Sequence, residues 1–200
     1  MGRIYIVRHG ETEWNKHGRY QGQKDIPLSK EGKHQAERIA LRLASRKIKA
    51  VFSSDLQRAK CTAEKIASYH KISIETNESL REMSFGIWEG LTRKEIQEKY
   101  PELYQQRKTL WETTRIPGAE TPGEVQKRIV DCLQKINDMH PNDEIVVVSH
   151  GGAIRLAIGF FLKLDSNQIH RFQLDNAGLS IISHKHDWFI EAINDTGHLA

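Results

Sequence analysis

Short, continuous apolar runs separated by long amphipathic patterns constrain the fold of this chain most. The run "IVVV" at 145–148 has no polar alternation, which is typical of a strand covered by helices on both faces. The same criteria predict six strands, at 3–7, 50–53, 72–76, 145–149, 179–183 and 188–193. A chain with several such runs needs helices on both faces of its sheet to bury them.

Helical patterns fill the intervals between most of these strands. Apolar residues recur at three- and four-residue spacing through 30–46 and 56–69, which predicts one buried face on each helix. The segment "TPGE" at 121–124 has the pattern of a capping box and predicts the start of another helix. Residues 153–162 are apolar nearly all round, which predicts a helix buried on both sides. We therefore predict a three-layer α/β/α sandwich on a mostly parallel sheet of about six strands.

The stretch 84–120 interrupts this alternation. It holds aromatic residues in short helical patterns and contains no predicted strand. We interpret it as a small helical arm over the sheet, inserted into a single domain that covers residues 1–200.

The charge distribution limits the classes of partner. The net charge of +4 is not concentrated in one block, and no nucleic-acid-binding motif is present, so we predict no nucleic-acid partner. No apolar run approaches the about 20 residues of a membrane span, which predicts no membrane association. The N-terminus enters a strand pattern at once, unlike a signal peptide, and we expect a cytoplasmic protein.

Two histidines follow predicted strands at their carboxyl ends. His9 and His150 each come directly after an apolar run and directly before a glycine. Ligands of α/β sheets bind beyond the carboxyl ends of the strands, so we expect both imidazoles at one edge of the sheet. Gly151 begins the next helix, whose free N–H groups favour an anion.

Charged residues are predicted at the same edge. Arg8 adjoins His9, and Arg58 lies in the first turn of the helix after strand 50–53, where Ser54 or Asp55 is the expected N-cap. Glu82 follows a further segment, "SLR". Guanidinium groups bind tetrahedral oxyanions, an imidazole can act as a nucleophile, and a carboxyl can protonate a leaving alkoxide. This set of groups indicates phosphoryl transfer.

A metal site is the alternative reading of paired histidines. Neither His9 nor His150 has another His or Cys at ligand spacing, and the cation of Arg8 would oppose a metal ion. We therefore predict no metal and no cofactor. For most of the remaining histidines we expect structural roles only.

The segment "RHGETEWN" at 8–15 resembles the signature of the histidine phosphatase superfamily, which has the phosphoglycerate mutase-like fold. The segments "VFSSDLQRAKCTAE", "LREMSFGIWEG" and "VVVSHGGAIR" are also similar to family segments and occur in family order. The resemblance covers nearly the whole chain. One departure is Ala119, where relatives often have glycine, and it could alter the loop over the site.

The resemblance implies a role for each candidate residue. It makes His9 the residue that is phosphorylated and Glu82 the proton donor. Arg8, Arg58 and His150 would be catalytic residues that form the phosphate pocket with His9. Asn15 and Gln21 would contribute amide donors to the same pocket.

Within this superfamily we expect a metal-independent phosphatase of small phosphate monoesters, similar to α-ribazole phosphatases and metal-independent phosphoserine phosphatases. A cofactor-dependent phosphoglycerate mutase is the alternative, and a non-catalytic phosphate-binding regulatory protein is a third. The segment "EMSFGIWEGLTRKEI" is similar to the phosphatase branch. The expected partner is a small phosphorylated metabolite. The sequence leaves open the substrate, a homodimer, and whether arm aromatics such as Trp88, Tyr100 and Trp111 shape the leaving-group pocket or only the core of the arm.

Overall fold

The computed structural model of the chain describes residues 2–165 and 168–200. All six predicted strands are present, with small shifts at their ends, and they form one sheet in the order β3-β2-β4-β1-β5-β6. The strands are β1 (Gly2–Arg8), β2 (Ile48–Ser53), β3 (Ile74–Thr76), β4 (Glu144–Ser149), β5 (Leu179–His184) and β6 (Trp188–Asp195).

The sheet is mostly parallel, as predicted. The first four strands of the order run parallel, and β1 pairs with β4 from Arg3 opposite Glu144 to Arg8 opposite Ser149. The last two strands are antiparallel additions, because β5 pairs antiparallel with both β1 and β6. The register of β1 and β4 brings the carboxyl ends of these two central strands side by side.

Helices cover both faces of the sheet. The seven α-helices in the described part of the chain are α1 (Glu13–Lys16), α2 (Lys30–Leu43), α3 (Gln57–His70), α4 (Arg93–Lys99), α5 (Pro101–Thr109), α6 (Pro122–Met139) and α7 (Gly151–Phe161). Strand β1 shows how the layers form. Its residues Ile4 and Ile6 pack with α6 and α7, while Tyr5 and Val7 pack with α2 and α3 on the opposite face. The predicted three-layer α/β/α sandwich is therefore confirmed.

The helix ends test the capping predictions. The capping box at Thr121 is present, because the Thr121 hydroxyl accepts from the Glu124 N–H and the Glu124 carboxylate accepts from the Thr121 N–H. The predicted cap of α3 is wrong. Its N-cap position is Leu56, Ser54 Oγ accepts only from the Leu56 N–H, and Asp55 is held in an ion pair with Arg81.

Helix α7 departs slightly from the prediction of burial on both sides. Most of its residues are buried, but Phe160 keeps 45% of its surface exposed near the end of the helix. The expected helix 30–46 ends earlier, at Leu43. No helix in the ranges 2–165 and 168–200 is both long enough and apolar enough to cross a lipid bilayer.

The stretch 84–120 contains α4, α5 and a 3₁₀ turn at Gly86–Trp88. It has a small core of its own, formed by Trp88, Ile96, Ile116 and Ala119. Ala119 is accommodated beside Phe85, because the left-handed backbone of this loop falls on Gly118, with a φ of 74°. That residues 1–200 form one domain with this arm inserted stays a prediction.

Candidate active site

The two predicted histidines meet at the carboxyl ends of β1 and β4. The ring centroids of His9 and His150 are 5.0 Å apart, and both side chains are buried. This proximity follows from the register of the sheet, because Arg8 and Ser149 are paired and each histidine is the next residue along its strand. This geometry agrees with the prediction that His9 and His150 lie at the same edge of the sheet.

The hydrogen bonds of His9 determine its tautomer. Its Nδ1 lies 2.7 Å from the carbonyl oxygen of Gly10, which can only accept, so Nδ1 carries the proton. The other ring nitrogen, Nε2, is left with its lone pair. Burial, reinforced by the guanidinium groups of Arg58 and Arg8, holds the pKa of His9 well below its usual value. His9 is therefore a neutral imidazole with one unprotonated nitrogen.

His150 has the opposite tautomer. The Nε of Arg58 donates to Nδ1 of His150 over 3.2 Å, so Nδ1 must be the unprotonated nitrogen. Nε2 then carries the proton, and this buried N–H has no partner among the described residues. Burial is the main cause that lowers the pKa of His150 far below its usual value, with Arg58 contributing next. His150 is thus a neutral hydrogen-bond donor.

Arg58 is completely buried on the first turn of α3. Its two terminal nitrogens donate to the backbone carbonyls of Gly22 and Lys24, each over 2.7 Å. Burial lowers the pKa of Arg58 to about 10, which still leaves the guanidinium charged at neutral pH. Backbone carbonyls therefore fix a cation beside both histidines.

Arg8 supplies a second cation. Its Nη1 donates to the carbonyl of Leu174 over 2.6 Å, while its buried Nε has no partner among the residues described. Gly151 allows this arrangement, because a Cβ atom at that position would lie 3.2 Å from Arg8 Nε. Gly151 therefore acts here through close packing against Arg8.

Two side-chain amides, those of Asn15 and Gln21, also line the cavity. Oδ1 of Asn15 accepts from the Thr12 N–H over 3.1 Å, and Oε1 of Gln21 lies 2.9 Å from the Thr12 hydroxyl. Because the oxygens of both amides are engaged with Thr12, their NH₂ groups are the parts left for a ligand. This arrangement suits an anion and disfavours a cation.

Glu82 is held by the N-terminus of α7. Its Oε2 accepts from the Gly152 N–H over 3.0 Å, and its Oε1 accepts from the N–H groups of Ala153 and Met83 over 3.1 and 2.8 Å. The N–H groups that were expected to stand free for a substrate anion are thus occupied by this carboxylate. A helix N-terminus favours such an anion and fixes its position.

Several supporting residues were not predicted from the sequence. Arg128 donates to the carbonyl of Glu82 and to those of Ser79 and Arg81, and it pairs with Glu120 over 2.8 Å. Its position on the amphipathic helix α6 gave no signal, because a charged residue there is most often solvated. Asn176 also went unpredicted, and its amide donates to the carbonyl of His9 over 3.1 Å.

These groups surround a cavity of about 230 Å³. Six of the eight predicted site residues line it, namely Arg8, His9, Asn15, Gln21, Arg58 and Glu82. The other two lie directly behind, with His150 against His9 and Gly151 against Arg8. A cavity with unpartnered donors, cationic walls and one unprotonated imidazole can hold a tetrahedral oxyanion next to a nucleophile.

Metal ligands are not grouped here. Within the described ranges, no three side chains of His, Cys, Asp or Glu are arranged so that they could hold a metal ion. A second cavity, of about 400 Å³, adjoins the first along Tyr20 and Phe85 and is lined by arm residues that include Trp88, Tyr104 and Trp111. Trp88 both lines this cavity and belongs to the small core of the arm. Whether the arm aromatics shape a leaving-group pocket stays a prediction.

The chain is similar in sequence and in fold to known proteins. The family model described as the histidine phosphatase superfamily (branch 1) matches residues 4–196. A probable phosphoglycerate mutase GpmB from Photorhabdus laumondii is 35% identical over 100% of this chain and 95% of its own length. Phosphoserine phosphatase 1 from Hydrogenobacter thermophilus is 34% identical over 91% of this chain and 86% of its own. A crystal structure of a phosphoserine phosphatase mutant from Entamoeba histolytica with phosphoserine has a TM-score of 0.91 at 30% identity and covers 100% of both chains.

Proposed function

This chain belongs to the histidine phosphatase superfamily, and we propose that it is a metal-independent phosphatase that hydrolyses small phosphate monoesters through a phosphohistidine intermediate. The observation that carries the proposal is the pair of opposite histidine tautomers. An unprotonated Nε2 on His9 lies beside the unpartnered Nε2–H of His150 and the unpartnered Nε–H of Arg8. A nucleophile surrounded by unused donors is what in-line attack on a phosphate requires.

The first step transfers the phosphoryl group to the protein. His9 Nε2 attacks phosphorus, the ester P–O bond breaks, and Glu82 gives its proton to the departing alkoxide. Arg8, Arg58 and His150 stabilise the charge on the equatorial oxygens, and the amides of Asn15 and Gln21 complete this shell. Oε2 of Glu82 accepts one backbone N–H whereas Oε1 accepts two, so we assign the transferred proton to Oε2.

The second step regenerates the enzyme. Glu82, now a carboxylate, takes a proton from water as the water oxygen attacks phosphorus. The P–N bond breaks, inorganic phosphate leaves, and His9 recovers its lone pair. Arg8 and Arg58 supply the positive charge that a divalent metal ion supplies to phosphoryl transfer elsewhere, so we propose that no metal takes part.

A phosphoglycerate mutase is the second candidate, because several relatives that are 34–35% identical and covered over 95% of their length carry that name. A mutase must retain its monophosphate while the phosphohistidine waits, which requires a pocket that excludes water. Here the catalytic cavity continues into the cleft of the arm along Tyr20 and Phe85, which favours exchange of alcohol for water. Either enzyme, phosphatase or mutase, would act on a small phosphorylated metabolite.

A phosphate-release assay run beside an enolase-coupled assay tests the proposal. With 3-phosphoglycerate and added bisphosphoglycerate, we expect inorganic phosphate to form faster than 2-phosphoglycerate. We also expect the rate of phosphate release to survive exhaustive chelation. Efficient isomerisation with negligible phosphate release would establish the mutase, and activity lost to a chelator and restored by a divalent ion would refute metal independence. A panel of phosphate monoesters ranked by kcat/KM would then identify the substrate.

A further inference from the structure

The backbone on either side of Gly10 is held by hydrogen bonds to side chains that take no part in the proposed reaction. The lone pair on His9 Nε2 depends on the Gly10 carbonyl, because that oxygen accepts the Nδ1 proton over 2.7 Å. The carbonyl can accept this proton only while its peptide plane keeps one orientation. The groups that fix this plane therefore bear on the nucleophile without contacting a substrate.

Gln35 fixes the peptide plane that contains the Gly10 carbonyl. In a trans peptide the C=O and the following N–H lie in one plane and point in opposite directions. The N–H that follows the Gly10 carbonyl belongs to Glu11, and it donates to Oε1 of Gln35 over 2.9 Å. The side chain of Gln35 at one end and the ring of His9 at the other thus hold the orientation of this plane.

Helix α2 holds Gln35 beside this peptide by close packing. The first turn of α2 lies against Glu11, since a Cβ atom on Gly32 would come within 2.0 Å of the Glu11 carbonyl oxygen. The N-cap residue Ser29 donates its N–H to the same carbonyl over 2.9 Å. Gln35 is half-buried in the next turn, so its side chain reaches the Glu11 N–H from a rigid base.

Thr62 fixes the preceding peptide plane. It is fully buried on α3, where its hydroxyl donates to the carbonyl of Arg58 over 2.8 Å and accepts from the Gly10 N–H over 3.2 Å. At the other end of this peptide, the His9 carbonyl accepts from the Asn176 amide over 3.1 Å. The peptide that enters Gly10 is therefore held at both ends as well.

Since each of these side chains supplies an acceptor to a peptide N–H beside the nucleophile, we propose that Gln35 and Thr62 are positioning residues that keep His9 in its Nδ1–H tautomer. This inference rests on the proposed function, in which His9 Nε2 attacks phosphorus. Without its acceptor, the Glu11 N–H must turn toward another partner, which takes the Gly10 carbonyl out of line with Nδ1. The proton of His9 can then reside on Nε2, and the ring loses its nucleophilic lone pair. Neither Gln35 nor Thr62 lines the catalytic cavity, so neither acts on the substrate directly.

The test measures the tautomer and the chemical step separately. Nitrogen-15 NMR of the ligand-free protein identifies which ring nitrogen of His9 carries the proton, with His9→Ala used to assign the signals. Gln35→Met removes the acceptor at similar side-chain length and should populate the Nε2–H tautomer. First-turnover release of p-nitrophenol from p-nitrophenyl phosphate should slow by about 10- to 100-fold, the usual effect of one unpaired donor. The Kd of inorganic phosphate, from calorimetry, should not rise, because the cations of the pocket are untouched.

Conservative variants separate positioning from packing. Gln35→Glu keeps an acceptor for the Glu11 N–H and Thr62→Ser keeps the hydroxyl, so both should retain the Nδ1–H tautomer and most of the rate. Thr62→Val leaves the Gly10 N–H unpaired and should behave like Gln35→Met, and Thr62→Ala repeats this comparison should valine prevent folding. Gln97→Met is the matched control, because Gln97 is exposed on α4, and it should change neither measurement.

The outcomes separate this inference from the proposed function. A wild-type tautomer in Gln35→Met would overturn the proposal, whether or not the rate falls. Equal losses in Gln35→Met and Gln35→Glu would also overturn it, since the side chain would then act by packing rather than as an acceptor. If the wild type hydrolyses no ester, the proposed function fails by itself. The NMR comparison of the wild type with Gln35→Met then still decides whether Gln35 determines the tautomer of His9.

Discussion

Arg58 donates from its Nε to Nδ1 of His150 over 3.2 Å, and this contact determines which nitrogen of His150 carries the proton. His9 is fixed in the opposite sense by the Gly10 carbonyl at 2.7 Å. The two imidazoles are neutral and adjacent, yet one offers a lone pair and the other offers an N–H. The guanidinium of Arg58 thereby helps to determine that His9 is the nucleophile and His150 the hydrogen-bond donor.

Replacing this guanidinium should impair both activity and folding. Arg58→Lys lacks a donor that can reach His150 Nδ1 while also binding the carbonyls of Gly22 and Lys24. We expect kcat/KM to fall by about 10²- to 10³-fold, as for loss of one charge-stabilising donor. Leaving one buried carbonyl unpaired should also lower the free energy of unfolding by about 1–3 kcal/mol.

Steady-state kinetics and urea unfolding measure the two effects of Arg58→Lys. Nitrogen-15 NMR of the imidazoles measures the tautomer, which should be Nε2–H for His150 in the wild type. Arg115→Lys is the matched control, because the Arg115 side chain is exposed in an ion pair with Glu124. Wild-type kcat/KM in Arg58→Lys would contradict the assigned role of this guanidinium.

Removing the nucleophile should abolish turnover. His9→Ala is expected to reduce kcat by about 10⁴-fold or more, with unchanged circular dichroism. Substrate mixed rapidly with the wild type and quenched should give a phosphoprotein that is labile in acid and stable in base. His34→Ala, which changes an exposed histidine, should label and turn over normally. Appreciable activity in His9→Ala would eliminate the covalent mechanism.

Much of this architecture could be predicted from local sequence patterns. The strands are continuous apolar runs, and the positions of His9 and His150 at their ends place both at one edge of a parallel sheet. The prediction of the α3 N-cap was wrong because two different partners compete for the same side chain. Asp55 has a good capping side chain but pairs with Arg81 instead, a partner on a separate loop that no local pattern could identify.

The position of Glu82 shows the same limit. The sequence predicted that the Glu82 carboxylate and the N-terminus of α7 both lie at this edge of the sheet. It did not predict that the carboxylate accepts hydrogen bonds from the first N–H groups of that helix. The role of Arg128 was equally hidden, since its three backbone acceptors come from a loop far away in the sequence. Tertiary contacts of long polar side chains leave no periodic signal, whereas core positions do.

The buried histidines should make stability depend on pH. The pKa values of His9 and His150 are well below those of the unfolded chain, which are about 6.5. Below that value the unfolded state binds more protons than the folded state, so stability should fall as the pH decreases from about 7.5 to about 5.5. Each histidine can contribute at most about 1.4 kcal/mol per pH unit.

Urea unfolding across this pH range measures the effect. The free energy of unfolding should depend less steeply on pH in the double variant His9→Gln and His150→Gln than in the wild type or in His34→Gln. Parallel curves would show that these two rings are not buried in the neutral form.

The last prediction concerns the proton that Glu82 gives to the leaving group. Glu82→Gln removes this proton, so esters of alkyl alcohols should lose far more kcat than p-nitrophenyl phosphate, whose leaving group needs little protonation. The substitution also has a structural cost, because an NH₂ group would face a backbone N–H at the start of α7, where both carboxylate oxygens now accept. We expect a loss of about 1–3 kcal/mol in the free energy of unfolding.

Glu120→Gln is the control: it weakens the support of the same loop without touching the acid, and it should slow both classes of ester alike. The ratio of the two rates therefore separates chemistry from support. Equal losses on alkyl and aryl esters in Glu82→Gln would remove Glu82 from the acid role and leave it as an anchor for the helix N-terminus.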